Sequence, residues 1–203
     1  MRRHDKEVTD RAALEAVLEQ AGWGTLGLVA PDGRPLVVPM NFLYHGGRLY
    51  FHSAPAGEKM AAIRTSGAAT FLVVDAYARI PSHAFGPVQA CSASQFFKSV
   101  MAHGRVAELQ DLERKAEVLE LLMRKLQPEG GCEPITAASP TYQASVKGIA
   151  VLKMTVDRLS RKFGLGQNLK PEARAEVVRL LEQRGGPEDL RTLEAMDRVR
   201  HTD

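Results

Sequence analysis

TLGLVAPDGRPLVVPMNFLYHGGRLYFHS, residues 25–53, is the segment that decides the fold. It contains three apolar runs, at residues 25–30, 36–44 and 48–53, separated by two short turn sequences. The turns carry Asp-Gly and Gly-Gly, whose residues tolerate the positive φ angles that tight hairpins require. The segment therefore predicts three consecutive strands joined as an antiparallel meander.

The rest of the chain adds helices and further strands around this meander. Hydrophobic periodicity and capping residues predict helices at 9–21, 58–64 and 111–126, strands at 68–75, 97–109 and 147–157, and two short C-terminal helices within 171–199. The stretches 76–95 and 127–144 show no clear period and are predicted as loops. Because the strands come in hairpins, a closed or nearly closed barrel is expected and a doubly wound sheet is disfavoured.

Charge and composition argue against several classes of partner. The 203 residues include 27 basic and 24 acidic side chains spread along the chain, for a net charge of only +3. No dense run of Lys and Arg is present, so nucleic-acid binding is not expected. No apolar run is long enough to span a bilayer, and the charged N-terminus does not resemble an export signal. We therefore expect no membrane partner.

The cysteines and histidines argue against a disulfide framework and a metal site. Cys91 and Cys132 lie far apart and outside any Cys-x-x-Cys pair, which favours free thiols in a reducing, cytoplasmic compartment. The six histidines form no metal-binding spacing, so no metal is expected. The chain also lacks a Gly-x-Ser-x-Gly elbow, a Walker loop and a Gly-x-Gly-x-x-Gly turn, which disfavours hydrolase, ATPase and Rossmann dehydrogenase functions.

A candidate phosphate site follows the third strand. His52 and Ser53 end the strand, a loop of small residues follows, and the next helix begins after Gly57 with Lys59 in its first turn. Imidazole, hydroxyl, free backbone N–H groups and an ammonium group would then surround one point, as a phosphate requires. The alternative is a plain turn residue, a solvated lysine and a surface histidine. These residues alone favour that alternative.

Pro39 interrupts an otherwise regular strand sequence. Proline has no N–H for a sheet ladder, so Pro39 is expected at a sheet edge or a bulge. Such a strand could lie against a flat ligand that hydrogen-bonds to neighbouring backbone groups. An ordinary edge strand explains the same residue, and Pro39 by itself favours that interpretation.

Taken together, these segments resemble the FMN-binding split-barrel family of pyridoxamine 5′-phosphate oxidase-like proteins, and most closely its Nim-type, nitroimidazole-reductase-like branch. The resemblance covers roughly residues 9–160 and rests on motifs that occur in order. They are Gly33-x-Pro35-x-x-Val38-Pro39-Met40-Asn41, Gly47-x-Leu49-Tyr50-Phe51-His52-Ser53-Ala54, Gly57-x-Lys59-x-x-x-Ile63, Phe71-x-Val73-Val74-Asp75 and Phe97-x-Ser99-Val100-x-x-x-Gly104.

The resemblance implies a mainly β (α+β) fold, namely a six-stranded antiparallel split β-barrel with flanking helices. Residues 1–160 would form the FMN-binding domain. Residues 161–203 would be a helical extension packed on the barrel or on a partner subunit. The family also implies a homodimer with FMN at the interface between the subunits.

The family motifs also imply roles for individual residues. The backbone of the proline strand would face the isoalloxazine ring, three residues would approach the phosphate and ribityl chain, and one would contact the flavin from the later strand. These sets are, in order, Val38, Pro39, Met40 and Asn41; His52, Ser53 and Lys59; and Ser99. In the Nim-type branch the equivalent of His52 is also proposed to lie near the redox centre, so a catalytic role for His52 is a further expectation.

The chain departs from the true oxidases at two places. Position 58 is Glu where those enzymes carry a phosphate-binding Arg, and their C-terminal Arg-x-His-Asp-Arg motif is missing. Pyridoxamine phosphate oxidation is therefore not expected. Gln167 and Asn168 instead resemble the Lys-x-x-x-x-Gln-Asn segment of split-barrel proteins labelled FMN-binding negative transcriptional regulators, which implies cofactor binding. A Gly-rich turn with Asn168 as a helix cap is an equal alternative.

The function implied by the resemblance is an FMN-dependent reductase. It would pass electrons from NAD(P)H to a small, planar, electron-poor organic substrate such as a nitroaromatic compound. A flavin- or small-ligand-binding regulatory protein without turnover is the alternative, and a haem-binding split barrel is a third possibility.

Overall fold

The computed structural model describes residues 11–85 and 90–200, and these form seven strands and six α-helices. The strands are β1 (Trp23–Val29), β2 (Pro35–Asn41), β3 (Leu43–His45), β4 (Arg48–Ser53), β5 (Ala68–Ile80), β6 (Ser94–Glu108) and β7 (Ala150–Gly164). The helices are α1 (Arg11–Gln20), α2 (Glu58–Thr65), α3 (Leu112–Leu126), α4 (Gln143–Gly148), α5 (Pro171–Arg184) and α6 (Pro187–Arg200). None of the described helices has both the length and the apolar character needed to cross a bilayer.

One antiparallel sheet contains all seven strands, in the order β2-β1-β5-β6-β7-β4-β3. Its two end strands, β2 and β3, are neighbours in the chain with only Phe42 between them. The sheet therefore curls round until its ends meet at Phe42. The side chain of Phe42 is fully buried, with its ring centre 5.0 Å from that of Phe71. The mainly β barrel class is confirmed, and seven strands replace the expected six because the predicted strand 36–44 bends at Phe42.

The chain divides into two compact units. The barrel unit comprises residues 14–73 and 101–159, and the helical unit comprises residues 1–13, 74–100 and 160–203, each as far as the structure describes them. Strands β5, β6 and β7 continue from one unit into the other. The predicted division of the chain after residue 160 is not tested by this grouping and stays a prediction.

Each unit has its own apolar core. Part of the barrel unit's core forms where α3 and α4 cover β3, β4 and β7, with Tyr50, Leu122, Val146 and Val151 almost completely buried. In the helical unit, α5 and α6 pack with the C-terminal part of β5 around Tyr77, Phe96, Val177, Leu181 and Met196.

Gly104 of the last motif has a packing role in the barrel unit. A Cβ atom built on Gly104 would overlap the carbonyl oxygen of Thr155 in the neighbouring strand β7. Strands β6 and β7 can approach this closely only because residue 104 has no side chain.

The two predicted loops differ most from the structure. Strand β5 runs to Ile80 and β6 begins at Ser94, while 3-10 helices occupy Ser82–Phe85 and Ala90–Ser92; residues 86–89 lie outside the described part. The other loop ends in helix α4, so the last strand runs from Ala150 to Gly164 and not from 147 to 157. A helix as short as α4 shows no recognisable period in sequence, and charged residues mask the alternation at the end of β7.

The remaining boundaries agree with the sequence to within a few residues. Strand β4 has the predicted bounds, and α2 is one residue longer than predicted. Helix α3 begins after Asp111, whose side chain accepts a hydrogen bond from Arg114 N at 2.7 Å. The first two residues of the predicted helix 9–21 lie outside the described residues.

Candidate functional site

The connection from β4 to α2 is the candidate anion cradle of the barrel unit. Gly57 directly precedes α2 with φ of 104°, a conformation that glycine adopts at little cost. No side chain of the described residues caps the first turn of α2. The free N–H groups and the positive end of the helix dipole are therefore available to an anion.

His52 has a polar atom without a described partner near this candidate cradle. Its Nδ1 atom is buried and has no hydrogen-bond partner among the described residues. Burial lowers the pKa of His52, and the positive charge of Lys59 lowers it further, so the neutral imidazole is favoured. A buried polar atom without a partner is uncommon in folded proteins, and a bound ligand would supply the missing hydrogen bond.

Lys59 brings a positive charge to the same place without a matching carboxylate. Its Nζ atom donates to Met40 Sδ at 3.3 Å, and it forms no ion pair with a described residue. Burial lowers the pKa of the Lys59 ammonium group. A thioether is a weak acceptor, so a phosphate oxygen would be a far better partner for this ammonium group.

Ser53 and Asn41, two further predicted ligands, already make hydrogen bonds to backbone carbonyls. Ser53 is buried and its hydroxyl donates to Ala54 O at 2.9 Å. Asn41 is exposed and its side-chain amide donates to Gly22 O at 2.9 Å. Ser53 still has acceptor lone pairs, whereas the Asn41 amide is bonded to the backbone at the open end of the β1–β2 hairpin.

The proline strand β2 lies at one end of the sheet order, as predicted for Pro39. Val38 is half-buried and Met40 is buried, whereas Pro39 points outward opposite Thr25 of β1. The same outer side carries Trp23 and Val37, whose exposed fractions are 63% and 64%. Exposed apolar side chains that share one face of a sheet can contact a ligand or another protein.

Two arginines near the cradle were not identified from the sequence. Arg34 Nη2 lies 3.4 Å from the carboxylate of Glu58, the first residue of α2. Arg64, at the other end of α2, donates to Pro55 O at 2.9 Å and so holds the cradle loop. Arg34 follows an Asp-Gly turn, and its sequence context resembles an ordinary hairpin; only the folded chain places it beside α2.

The other predicted ligands lie in the helical unit, where most of their polar groups are engaged. Ser99 donates to Lys162 O at 3.3 Å. The Gln167 amide donates to Phe163 O at 2.9 Å and accepts from Leu165 N at 2.8 Å, which fixes the turn containing Gly166. Asn168 is exposed and lines an open cavity of about 420 Å³ with Phe96 and Phe97.

Within the barrel unit, Lys59 contacts Met40 and lies close enough to His52 to lower the pKa of that imidazole. Flavin binding by these residues, and by Ser99, Gln167 and Asn168, stays a prediction. Within residues 11–85 and 90–200, no group of three or more His, Cys, Asp and Glu side chains is arranged to hold a metal ion.

Comparison with protein families decides the affiliation. The family model described as pyridoxamine 5′-phosphate oxidase matches residues 10–163, which is most of the chain. The chain belongs to this family. It is therefore a member of the flavin-binding, pyridoxamine 5′-phosphate oxidase-like split barrels. No curated protein matches the sequence.

Solved structures agree with this family fold. A putative 5-nitroimidazole antibiotic resistance protein from Bacteroides thetaiotaomicron VPI-5482 is 27% identical, with a TM-score of 0.63 over 77% of this chain and 85% of that one. The flavocytochrome Anf3 from Azotobacter vinelandii is 23% identical, with a TM-score of 0.67 over 81% and 72%. The FAD and heme binding protein from Mycobacterium smegmatis is 18% identical, with a TM-score of 0.64 over 78% and 73%. The last two similarities concern the fold alone.

Proposed function

We propose that this protein binds FMN and acts as a reductase of small, planar, electron-poor organic substrates, with NAD(P)H as the electron donor. The observation that carries the flavin assignment is made at the β4–α2 cradle. There the buried, unpartnered Nδ1 of His52 lies near the ammonium group of Lys59, which forms no ion pair with a described carboxylate. Both groups suit a phosphate ester, which accepts hydrogen bonds and carries negative charge.

The residues of the cradle would bind and orient the cofactor. Lys59 would exchange its Met40 contact for a phosphate oxygen, and the first N–H groups of α2 would bind the other phosphate oxygens. The neutral His52 ring would donate from Nδ1 to the phosphate or the ribityl chain. The flavin would supply the electron-transfer chemistry when bound, and the protein would position it and exclude water.

We further propose that two chains form a homodimer with the flavin at their interface. The support is the outer face of β1 and β2, where the exposed Trp23 and Val37 side chains flank the outward-facing Pro39. A second chain would remove this apolar surface from water. In that dimer the backbone of β2 would line the ring-binding side of the site.

The substrate class and the cellular compartment are also proposals. The similarity to the putative 5-nitroimidazole antibiotic resistance protein, at 27% identity, supports an electron-poor nitroaromatic ring as a substrate. Two exposed, unpaired cysteines, Cys91 and Cys132, are compatible with the cytoplasmic location proposed here.

A flavin-binding regulatory protein without turnover is the alternative. Its motivation is the Gln167-Asn168 segment. The Gln167 amide is already bonded at both ends to backbone groups of its own turn, so that segment gives weaker support than its sequence alone.

The decisive experiment is to purify the protein, record its visible spectrum and titrate it with FMN. Flavin absorbance that co-purifies, or tight uptake of added FMN, would support the assignment. A colourless protein that takes up no flavin would refute it, and a Soret band would indicate haem instead. Steady NAD(P)H oxidation with a nitroaromatic acceptor would then separate the enzyme from the regulatory protein.

A further inference from the structure

We propose that Arg34 is the second cation of the phosphate site and confers selectivity for a phosphorylated flavin. This inference rests on the proposed flavin function and adds a residue from the β1–β2 hairpin to the β4–α2 cradle. Glu58 holds Arg34 beside α2, and the phosphate would take over part of that contact.

The charges around α2 favour such a cation. Glu58 is the first residue of α2 and precedes Lys59 directly, so its carboxylate would repel a phosphate held by Lys59 and the helix N-terminus. The Arg34 guanidinium lies 3.4 Å from this carboxylate and offsets its charge. Without Arg34, the single positive charge of Lys59 would be opposed by an adjacent negative one.

The geometry leaves Arg34 free to bind a second partner. Asp32 accepts from Arg34 Nε at 2.7 Å and from Arg34 N at 3.1 Å, which anchors the arginine to its own turn. The hydrogen bonds from Arg34 lower the pKa of the Asp32 carboxyl, so Asp32 stays ionised. Glu58 engages Nη2, and the remaining guanidinium N–H groups have no partner among the described residues.

The exposure of Arg34 allows it to move. Its side chain is 70% exposed and that of Glu58 is 53% exposed, so turning the guanidinium toward a phosphate buries no new charge. Guanidinium and phosphate form paired, parallel hydrogen bonds, whereas a carboxylate at 3.4 Å is a weaker, single contact. Exchange of Glu58 for phosphate is therefore favourable for Arg34.

The experiment compares FMN with riboflavin, which has the same ring and ribityl chain but no phosphate. Dissociation constants are measured by flavin fluorescence for the wild type, Arg34→Gln, Arg34→Lys and Glu58→Gln. Arg48→Gln is the matched control, because Arg48 is an exposed arginine of equal charge at the other hairpin of the barrel unit. Thermal denaturation verifies that each variant is folded.

Arg34→Gln should weaken FMN binding roughly fivefold to tenfold, between the effect of an exposed ion pair and that of a charged hydrogen bond, and leave riboflavin binding unchanged. Arg34→Lys should recover only part of the FMN affinity, because lysine keeps the charge but cannot form the paired hydrogen bonds of a guanidinium. Glu58→Gln should tighten FMN binding and not riboflavin binding, and Arg48→Gln should change neither.

An equal effect of Arg34→Gln on both flavins, or no effect on either, would overturn the role of Arg34. So would a matching loss of FMN affinity in Arg48→Gln. A wild-type protein that binds neither flavin would instead refute the proposed function itself, so the two failures are distinguishable.

Discussion

Two groups of polar residues, one in the helical unit and one in the barrel unit, differ in how fully their hydrogen bonds and charges are paired. In the helical unit, Arg191 forms an ion pair with Asp75 and lies 4.4 Å from the centre of the Tyr77 ring. Burial, and then the charge of Asp75, raise the pKa of Tyr77 to about 12, so the phenol stays protonated. In the barrel unit, His52 has a buried nitrogen without a partner and Lys59 reaches only a thioether.

We interpret this difference as one between residues that hold the fold and residues that we propose bind a ligand. Arg191 also donates to Ala76 O at 3.2 Å, so it ties α6 to β5 and has little binding capacity left. One buried oxygen of Asp75 has no hydrogen bond to a described residue, but the Asp75 carboxylate is still paired with Arg191 through its other oxygen. We infer that substitutions in the β4–α2 cradle affect ligand binding, whereas substitutions of Arg191, Asp75 or Tyr77 affect stability.

The largest effect is expected from Lys59→Ala. Loss of a charged hydrogen bond to phosphate costs about 1.5–3 kcal/mol of binding free energy, which is roughly a 10- to 150-fold rise in the Kd for FMN. Flavin fluorescence titration measures it, with Lys147→Ala, an exposed lysine of α4, as the control. Unchanged FMN affinity in Lys59→Ala would show that Lys59 does not bind the phosphate.

Arg191→Met should act on stability instead. It leaves the Asp75 carboxylate unpaired, and a loss of about 1–2 kcal/mol in unfolding free energy is expected, between the values for exposed and for buried pairs. The matched control is Arg179→Met, since Arg179 pairs with Glu176 at the surface of α5. Urea denaturation should give a lower midpoint for Arg191→Met than for Arg179→Met. Equal midpoints would show that Arg191 contributes no more to stability than a surface ion pair.

Gln167→Ala tests whether Gln167 binds the cofactor or only stabilises its own turn. Loss of its two bonds to Phe163 and Leu165 should lower stability by about 1 kcal/mol, because each bond contributes a modest net amount. The FMN Kd should change far less than in Lys59→Ala. Gln183→Ala, exposed on α5, serves as the control. A large loss of FMN affinity at unchanged stability would restore Gln167 as a ligand.

The smallest expected effect is the pH dependence that His52 adds to the stability of the protein without flavin. Because the pKa of His52 is lowered from 6.5 in the folded state, the unfolded chain binds the proton more readily. Stability contributed by the neutral ring is thus lost as the pH falls below about 6.5. Unfolding free energies, compared between about pH 7.5 and about pH 5, should fall more in the wild type than in His52→Gln.

His45→Gln, at the exposed end of β3, should behave like the wild type in this test. If wild type and His52→Gln lose stability equally between the two pH values, the burial of an uncharged His52 is not energetically significant.

Most of the barrel could be predicted from local signals. The Asp-Gly and Gly-Gly turns defined β1, β2 and β4, and Pro39 indicated the end strand. The bend at Phe42 could not be predicted, because its cause is the meeting of the two sheet ends and not a turn residue. The same applies to α4, which is stabilised by burial of Val146 against the core around α3 and not by a long helical pattern.

For the candidate site, local signals pointed to the β4–α2 connection, the family motifs added residues such as Met40, and Arg34 was missed. His52, Ser53 and Lys59 were recognisable because β4 and α2 are consecutive. Arg34 was missed because it lies 24 positions from Glu58 and reaches it only after folding.

The sequence by itself determined the family, the hairpin order and the residue types of the cradle, because these depend on local turn chemistry and on motifs read along the chain. Only the tertiary structure decided which polar groups are already satisfied: Gln167 finds both partners in its own turn, Arg191 finds Asp75, and the buried nitrogen of His52 finds none among the described residues. Hydrogen bonding and burial depend on distances between segments that are remote in sequence, and folding alone sets those distances.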